Sequence, residues 1–296
     1  MEKISIIYSK IFNKKTSSGF EKISLGLAIS GFIFHLILIY LNQNGLIHFS
    51  RGNELLQRPL QALYTPFSFI LFEEIYVLLG YLTYSFSKSI ITQFEIISLF
   101  ILRGIFKDIS IIDFSGPNPI SPELINFFYS LGSLVILILL VGMIRKTIKT
   151  KEFEMSSDSQ KSFSLFKKGM VLLLLAMLLV LAVVDLWGWA KDQFLNDPDP
   201  IKSVSEVNTI FYKEFFTLMI FFDVLLLLVS LRYTQSYDHL LRNSGYVLST
   251  VILRISMTSP MPYSSIGYVL STLLCLFFVF IFNNFQESIT GFKSKT

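Results

Sequence analysis

Long blocks of apolar residues constrain this chain more than any other feature of its sequence. The two clearest are residues 123–144, which contain LGSLVILILLVGMI, and residues 170–189, which read MVLLLLAMLLVLAVVDLWGW. A run of about 18 such residues matches the ~30 Å hydrocarbon core of a bilayer at about 1.5 Å per helical residue. Hydrocarbon offers no partners to backbone N–H and C=O groups, so each run must form a helix. The sequence therefore predicts an all-α integral membrane protein.

Composition and the number of blocks define the predicted architecture. Only 16% of the residues are charged, whereas soluble proteins carry about 25%. We predict an eight-helix transmembrane bundle. The third block is the weakest because charged residues interrupt it, and the seventh is short, so a half-span or re-entrant segment is the alternative for it. The eight blocks cover about residues 23–41, 62–84, 94–112, 123–144, 170–189, 211–231, 245–257 and 264–283.

Lys and Arg residues predict the orientation of the bundle. Residues 1–22 carry five and residues 145–168 carry seven, whereas residues 190–210 carry two. Basic loops stay in the cytoplasm, so eight spans place both termini there. We expect a four-helix half over residues 1–144, a flexible cytoplasmic linker over 145–168 and a second four-helix half over 169–296. The Phe-, Ile- and Lys-rich composition is typical of an AT-rich genome, and we expect a bacterial plasma membrane.

Polar and proline residues recur in the two halves. The third block contains SLFILR (98–103) and the seventh contains STVILR (249–254). Each is followed by a loop with two closely spaced prolines, at 117 and 119 and at 260 and 262. This pattern favours two tandem four-helix repeats, related by an axis along the membrane normal. The alternative is that membrane segments resemble each other because all are rich in Leu, Ile and Phe.

Charged residues inside the blocks are the candidate functional residues. A charged side chain at mid-bilayer costs at least about 2.5–3.5 kcal/mol, so such groups face protein or water and find partners. Neighbouring spans meet at similar depth, which predicts the ion pairs Glu74–Arg103 and Asp223–Arg254. Arg suits this role because its guanidinium binds a carboxylate through two hydrogen bonds and stays charged. These pairs serve transport, or they only fix the register and packing of the helices.

Glu73 and His35 are the two further candidates. Glu73 points about 100° away from Glu74 on the same helix and has no obvious partner in the sequence. An unpaired carboxylate at that depth could take up and release a proton. His35 lies in the middle of the first block. It is either a hydrogen-bonded packing residue or part of a proton relay.

Motifs for chemistry outside the bilayer are absent from the sequence. There is no HExxH, no Walker A loop, no paired CxxC and no GxSxG. Three His and the single Cys275 argue against a metal site of His and Cys, and one cysteine excludes a disulfide within the chain. We therefore expect no catalytic residue, no cofactor and no metal. The net charge of +4 comes from loops that set the orientation, so nucleic acid is not an expected partner.

Two functions fit these observations. The first is transport, as a channel or carrier for protons, small ions or a small polar solute, through buried acidic residues at the interface between the repeats. The second is a non-catalytic scaffold or subunit of a membrane complex, in which every charge is structural. Beyond the lipid bilayer, the expected partners are further copies of the chain or other membrane subunits. A water-accessible cavity reaching Glu73 favours transport, and a dry bundle favours the scaffold.

Overall fold

The protein is helical throughout the part of the chain that its structure, a computed structural model, describes. That part comprises residues 2–46, 59–112, 121–148, 157–194, 204–232 and 237–293, and it contains nine α-helices and no strand. A short 3₁₀ helix, Pro59–Leu63, leads into the third helix. The helices are α1 (Glu2–Ile11), α2 (Lys14–Gln43), α3 (Tyr64–Tyr81), α4 (Phe86–Ile111), α5 (Pro122–Thr147), α6 (Ser157–Phe194), α7 (Val204–Leu231), α8 (Tyr237–Met257) and α9 (Tyr263–Lys293).

Seven segments of the described chain are helical, long and apolar enough to cross a membrane. They correspond to α2–α7 and α9, with α1 continuing the first of them. All eight predicted blocks are helical, but α8 does not reach the same apolarity over a membrane's thickness. It is longer than the predicted block 245–257, because its polar first turns are helical too. The seventh predicted block thus forms a helix, α8, that is not among the seven candidate membrane-spanning helices.

Local sequence explains where two helices begin. The Asn13 side chain accepts a hydrogen bond from the backbone N–H of Thr16 at 2.7 Å, which starts α2 well before the predicted block. Ser121 accepts one from the N–H of Leu124 at 3.2 Å, and Pro122 stands in the first turn of α5. Such side-chain oxygens satisfy N–H groups that have no partner within the helix.

The predicted linker 145–168 is shorter in the structure. Its first residues complete α5, and residues 157–168 form the first turns of α6. Between them, residues 149–156 lie outside the described residues. The Ser- and Lys-rich composition predicted a flexible segment, but residues 157–168 are helical and Lys167 is buried against other helices.

Two large apolar cores contain helices from both halves of the sequence, and a third, small cluster around Ile39 and Ala62 lies within the first half. One core joins α3 and α4 to α6 and α7, and the other joins α4 and α5 to α8 and α9. Helix α4 contributes two different faces to them, about 100° apart: Ile96 and Phe100 to the first core, Ile97 and Ile101 to the second. Met257 packs against both. The halves therefore share their cores, and α4 lies between the two.

Helix α8 packs closely on α9. A Cβ atom added at Gly245 would lie 2.1 Å from the Phe278 ring, and one at Gly267 would lie 1.9 Å from Ser256 Oγ. Only glycine allows the two helices to approach this closely. This contact fixes the position of α8, which carries Arg254.

Large apolar side chains cover the outer faces of the helices. Leu139 on α5 is 64% exposed and Val183 on α6 is 66% exposed, and similar residues follow on α2 and α9. Soluble proteins rarely expose apolar patches of this extent. Lipid is the environment in which such a surface is stable.

Candidate functional site: a polar cleft between the two halves

Arg254 is the centre of a buried polar cluster. Its side chain is 0% exposed, and its Nη1 donates a hydrogen bond to Asp223 Oδ2 on the neighbouring helix α7. Asp223 also accepts a hydrogen bond from Thr250 Oγ1 at 3.3 Å, one turn before Arg254 on α8. The structure thus brings Asp223 and Arg254 together as an ion pair between adjacent helices.

The guanidinium of Arg254 also binds a residue from the other half of the sequence. Its Nη2 donates to Gln93 Oε1 on α4 at 2.7 Å, and the amide of Gln93 donates to Ser89 Oγ at 3.2 Å. Arg254 Nε is buried and has no hydrogen-bond partner among the described residues. One guanidinium therefore connects α4, α7 and α8, which fixes these helices with respect to each other.

A cleft adjoins this cluster. It encloses about 380 Å³ of empty space, part of it open to solvent, and Asp223, Thr250 and Gln93 stand in its wall. Residues from α4, α6, α7, α8 and the α3–α4 connection line it, so it lies between the halves. The remaining lining residues are Leu82, Tyr84, Phe86, Ser89, Ile90, Lys167, Leu226, Tyr246 and Val247.

Lys167 is the second charged residue in the wall of the cleft. It is 7% exposed, and its Nζ donates to the backbone carbonyl of Tyr84 at 2.7 Å. The rings of Phe163 and Phe86 lie 4.7 and 5.2 Å from the ammonium group, within the range of a cation–π interaction. No ion pair joins Lys167 to a carboxylate of the described residues, so it is a buried cation held by a carbonyl and two rings.

The pair Glu74–Arg103 lies elsewhere, between α3 and α4. Arg103 Nη1 lies 3.4 Å from Glu74 Oε2 and 3.1 Å from the carbonyl of Phe67, and its guanidinium stacks over Phe100 at 4.4 Å. The two charged side chains are 15% and 11% exposed. The structure brings both predicted pairs together, but this pair is longer and less buried than the pair of Asp223 and Arg254.

Glu73 and His35 lie away from the cleft. Glu73 is half-buried on α3, forms no ion pair within the described residues and lies near Glu21 of α2. Neither Glu73 nor His35 is among the residues that line the cleft. His35 is buried and its Nδ1 shares a hydrogen bond with Thr65 Oγ1, which matches the packing interpretation of this residue.

Sequence reasoning missed four members of the cluster: Gln93, Ser89, Thr250 and Lys167. The polar residues among them are common on helices and give no signal by themselves. On sequence alone, Lys167 falls in the hydrophilic linker, because it lies three positions before the first residue of the fifth apolar block. The useful signal was the position of Thr250 one turn before Arg254, which places both on one face of a helix.

The described residues contain no group of three or more His, Cys, Asp and Glu side chains that could hold a metal ion. What the fold and the cleft define is an all-helical protein with seven helices long and apolar enough to cross a membrane, and with a charged cleft between the halves of its chain. Comparisons with protein-family models, curated proteins and solved structures found no match.

Proposed function

We propose that this chain is a membrane transport protein, a channel or carrier for small ions or a small polar solute, and not an enzyme. The observation that carries the proposal is the cleft between the halves, which holds the buried charges of Lys167 and Asp223. Charged residues inside membrane proteins often mark the paths of ions and substrates, because burying a charge within the bilayer costs free energy that a functional role can offset. Clefts between repeated halves are the usual binding sites of transporters.

The proposed topology has eight spans, with α8 as the least apolar. Ten residues of α8 are buried, so protein rather than lipid surrounds much of it, and lower apolarity is then tolerated. With both termini in the cytoplasm, the α3–α4 connection lies at the cytoplasmic end. Tyr84 in that connection lines the cleft, as does Lys167 near the start of the fifth span. The cleft then opens to the cytoplasm and ends at Asp223.

Helix contacts support the proposed tandem repeat. In each half, consecutive helices contact each other, and across the halves α4 contacts α8 and α5 contacts α9. Under the repeat these are equivalent helices, and a twofold axis between the halves allows such contacts. The two ion pairs also occupy equivalent helices, α3 with α4 and α7 with α8. The contact of α3 with α6 departs from this symmetry, since α2 and α7 form no comparable contact.

The proposed roles follow from burial and position. Asp223 and Arg254 form the inner end of the solute path, and Gln93 holds Arg254 toward the first half. Glu74 and Arg103 are the structural counterpart in the first half, and Glu73 and His35 are not part of this path.

A scaffold is the alternative function, and one observation favours it. Arg254 is bonded to both Asp223 and Gln93, so this part of the cluster is stable without a solute. In that case the protein is a subunit of a larger membrane complex or associates with its own copies. The bundle would then conduct nothing.

Liposome swelling tests the proposal with a panel of candidate solutes. Purified protein is reconstituted, and light scattering follows volume changes after addition of small ions and polar solutes, while a trapped pH dye reports proton flux. The transport proposal predicts faster entry of at least one of them than in protein-free liposomes. Rates equal to those of protein-free liposomes across the whole panel would support the scaffold.

A pair of adjacent variants links the flux to the cleft. Val247 is 7% exposed and lines the cleft, whereas Leu248 is 48% exposed on the outer face. Val247→Phe fills the cleft and is expected to reduce the flux at least about tenfold, since a bulky side chain in a packed site displaces its contents. Leu248→Phe is the control and should conduct as the wild type does. Equal flux in both variants would place the path elsewhere.

A further inference from the structure

Positive charge exceeds negative charge around the cleft. Lys167 carries positive charge in the wall of the cleft. Arg254 lies behind Asp223, which is the single carboxylate in that wall among the described residues. Because Asp223 is engaged by Arg254, Lys167 has no carboxylate partner among the described residues. A buried cation without a carboxylate partner is costly in a medium of low dielectric constant, and a bound anion removes this cost.

Unused hydrogen-bond donors accompany this charge. An ammonium group has three donors, and Lys167 uses one of them on the carbonyl of Tyr84 in the described part of the chain. Buried donors normally find an acceptor, and the acceptor oxygens of an anion would satisfy them.

Two further cations lie close to tyrosines in the wall of the cleft. Two tyrosines in its wall each lie beneath a cation: Lys88 Nζ is 4.2 Å from the Tyr84 ring, and the Arg242 guanidinium is 5.9 Å from the Tyr246 ring. Asp238 lies near Arg242 and offsets part of its charge. An excess of positive charge near a cleft raises the local concentration of anionic ligands.

We propose that the cleft binds a small organic monocarboxylate, with Lys167 as the residue that pairs with its carboxylate. One uncompensated positive charge calls for a singly charged ligand. The apolar walls at Leu82, Ile90 and Leu226 accept a short hydrocarbon part, which a hydrated inorganic ion lacks. This inference rests on the proposed function, because the monocarboxylate is then the transported solute. Its binding can nevertheless be measured without transport.

Titration calorimetry of the full chain in uncharged detergent tests the proposal, with butanoate as the probe and butanamide as its neutral analogue. Butanoate should bind, and butanamide should bind at least about tenfold more weakly, because the charge-assisted hydrogen bonds are lost. Lys167→Met should weaken butanoate binding at least about tenfold. Lys168→Met is the matched control and should stay within about twofold, since Lys168 contacts Ser5 and Tyr8 rather than the cleft.

Val247→Phe provides a second variant that leaves every charge in place, and circular dichroism checks the folding of each variant. Val247→Phe should abolish the binding of butanoate, whereas Leu248→Phe should not. Absence of butanoate binding to the wild type, equal binding of butanamide, or unchanged binding in Lys167→Met would overturn the proposal. Binding of phosphatidylglycerol but not butanoate would also overturn it, by making the cleft a lipid site. Binding of butanoate without flux in liposomes would keep this inference and reject transport.

Discussion

Arg254 is the residue whose loss should affect stability most, and the structure gives the size of the effect. In Arg254→Met, the Asp223 carboxyl group, which is 5% exposed, loses its ion-pair partner and keeps the Thr250 hydroxyl as its remaining side-chain partner among the described residues. Removing one member of a buried ion pair costs about 3–5 kcal/mol. Gln93 also loses the donor to its amide oxygen, but the two losses share one site and do not simply add. We expect a total loss of about 3–5 kcal/mol in the free energy of unfolding.

Reversible unfolding by sodium dodecyl sulfate in mixed micelles, followed by circular dichroism, measures this loss. The double variant Arg254→Met/Asp223→Leu should recover part of this loss and end about 1–3 kcal/mol below the wild type. An apolar pair often replaces a buried ion pair without loss, but Gln93 still lacks the donor to its amide oxygen. Arg145→Met is the control: Arg145 pairs with Glu95 at 3.2 Å but is 72% exposed, so the change should stay below about 1 kcal/mol. A loss below about 1 kcal/mol in Arg254→Met, or no recovery in the double variant, would show that the pair is not a buried ion pair of this strength.

Three further predictions concern helix packing in the rest of the bundle. Gly267→Leu should destabilise the protein by about 1–3 kcal/mol, because the leucine side chain would overlap Ser256. Gly142→Leu is the control and should be neutral in the same unfolding assay, since the space around Gly142 is open. Arg103→Met should cost about 1–2 kcal/mol, less than the loss of Arg254, because its ion pair is longer and partly exposed; an equal or larger loss would contradict this ranking. Tyr8→Phe removes the hydroxyl that contacts the Gly80 carbonyl and Thr83 Oγ1, and hydrogen exchange of the α1 amides should become faster.

The helical class and both ion pairs could be predicted from the sequence. The first follows from the length of the apolar blocks, and the second from the high cost of an unpaired charge inside the bilayer. An apolar block long enough to cross a bilayer must form a helix, because a helix pairs the backbone N–H and C=O groups within the segment. A charge inside such a block needs a partner on a neighbouring helix, and few partners exist, so Arg254 and Asp223 could be matched without coordinates. The weak apolarity of α8 was visible too, as the short seventh block.

The cleft could not be predicted, because it depends on contacts between distant parts of the chain. Lys167 and Tyr84 are 83 positions apart, and Gln93 and Arg254 are 161 apart. No spacing rule brings such residues together, and the sequence favoured Glu73 as the unpaired charge. Two shared cores, each mixing the halves, decide instead which polar residues meet.

Access of water to the floor of the cleft is the most direct test of a solute path that opens to the cytoplasm. Thr250→Cys, in a background without the native cysteine, is treated with an anionic, membrane-impermeant thiosulfonate reagent in sealed vesicles of each orientation. We expect rapid labelling from the cytoplasmic side and slow labelling from the other side, and faster reaction than with a cationic reagent, because Lys167 attracts the anion. The lipid-facing Leu248→Cys should stay unlabelled. A Thr250→Cys variant that reacts from neither side, or no faster than Leu248→Cys, would contradict the existence of this path.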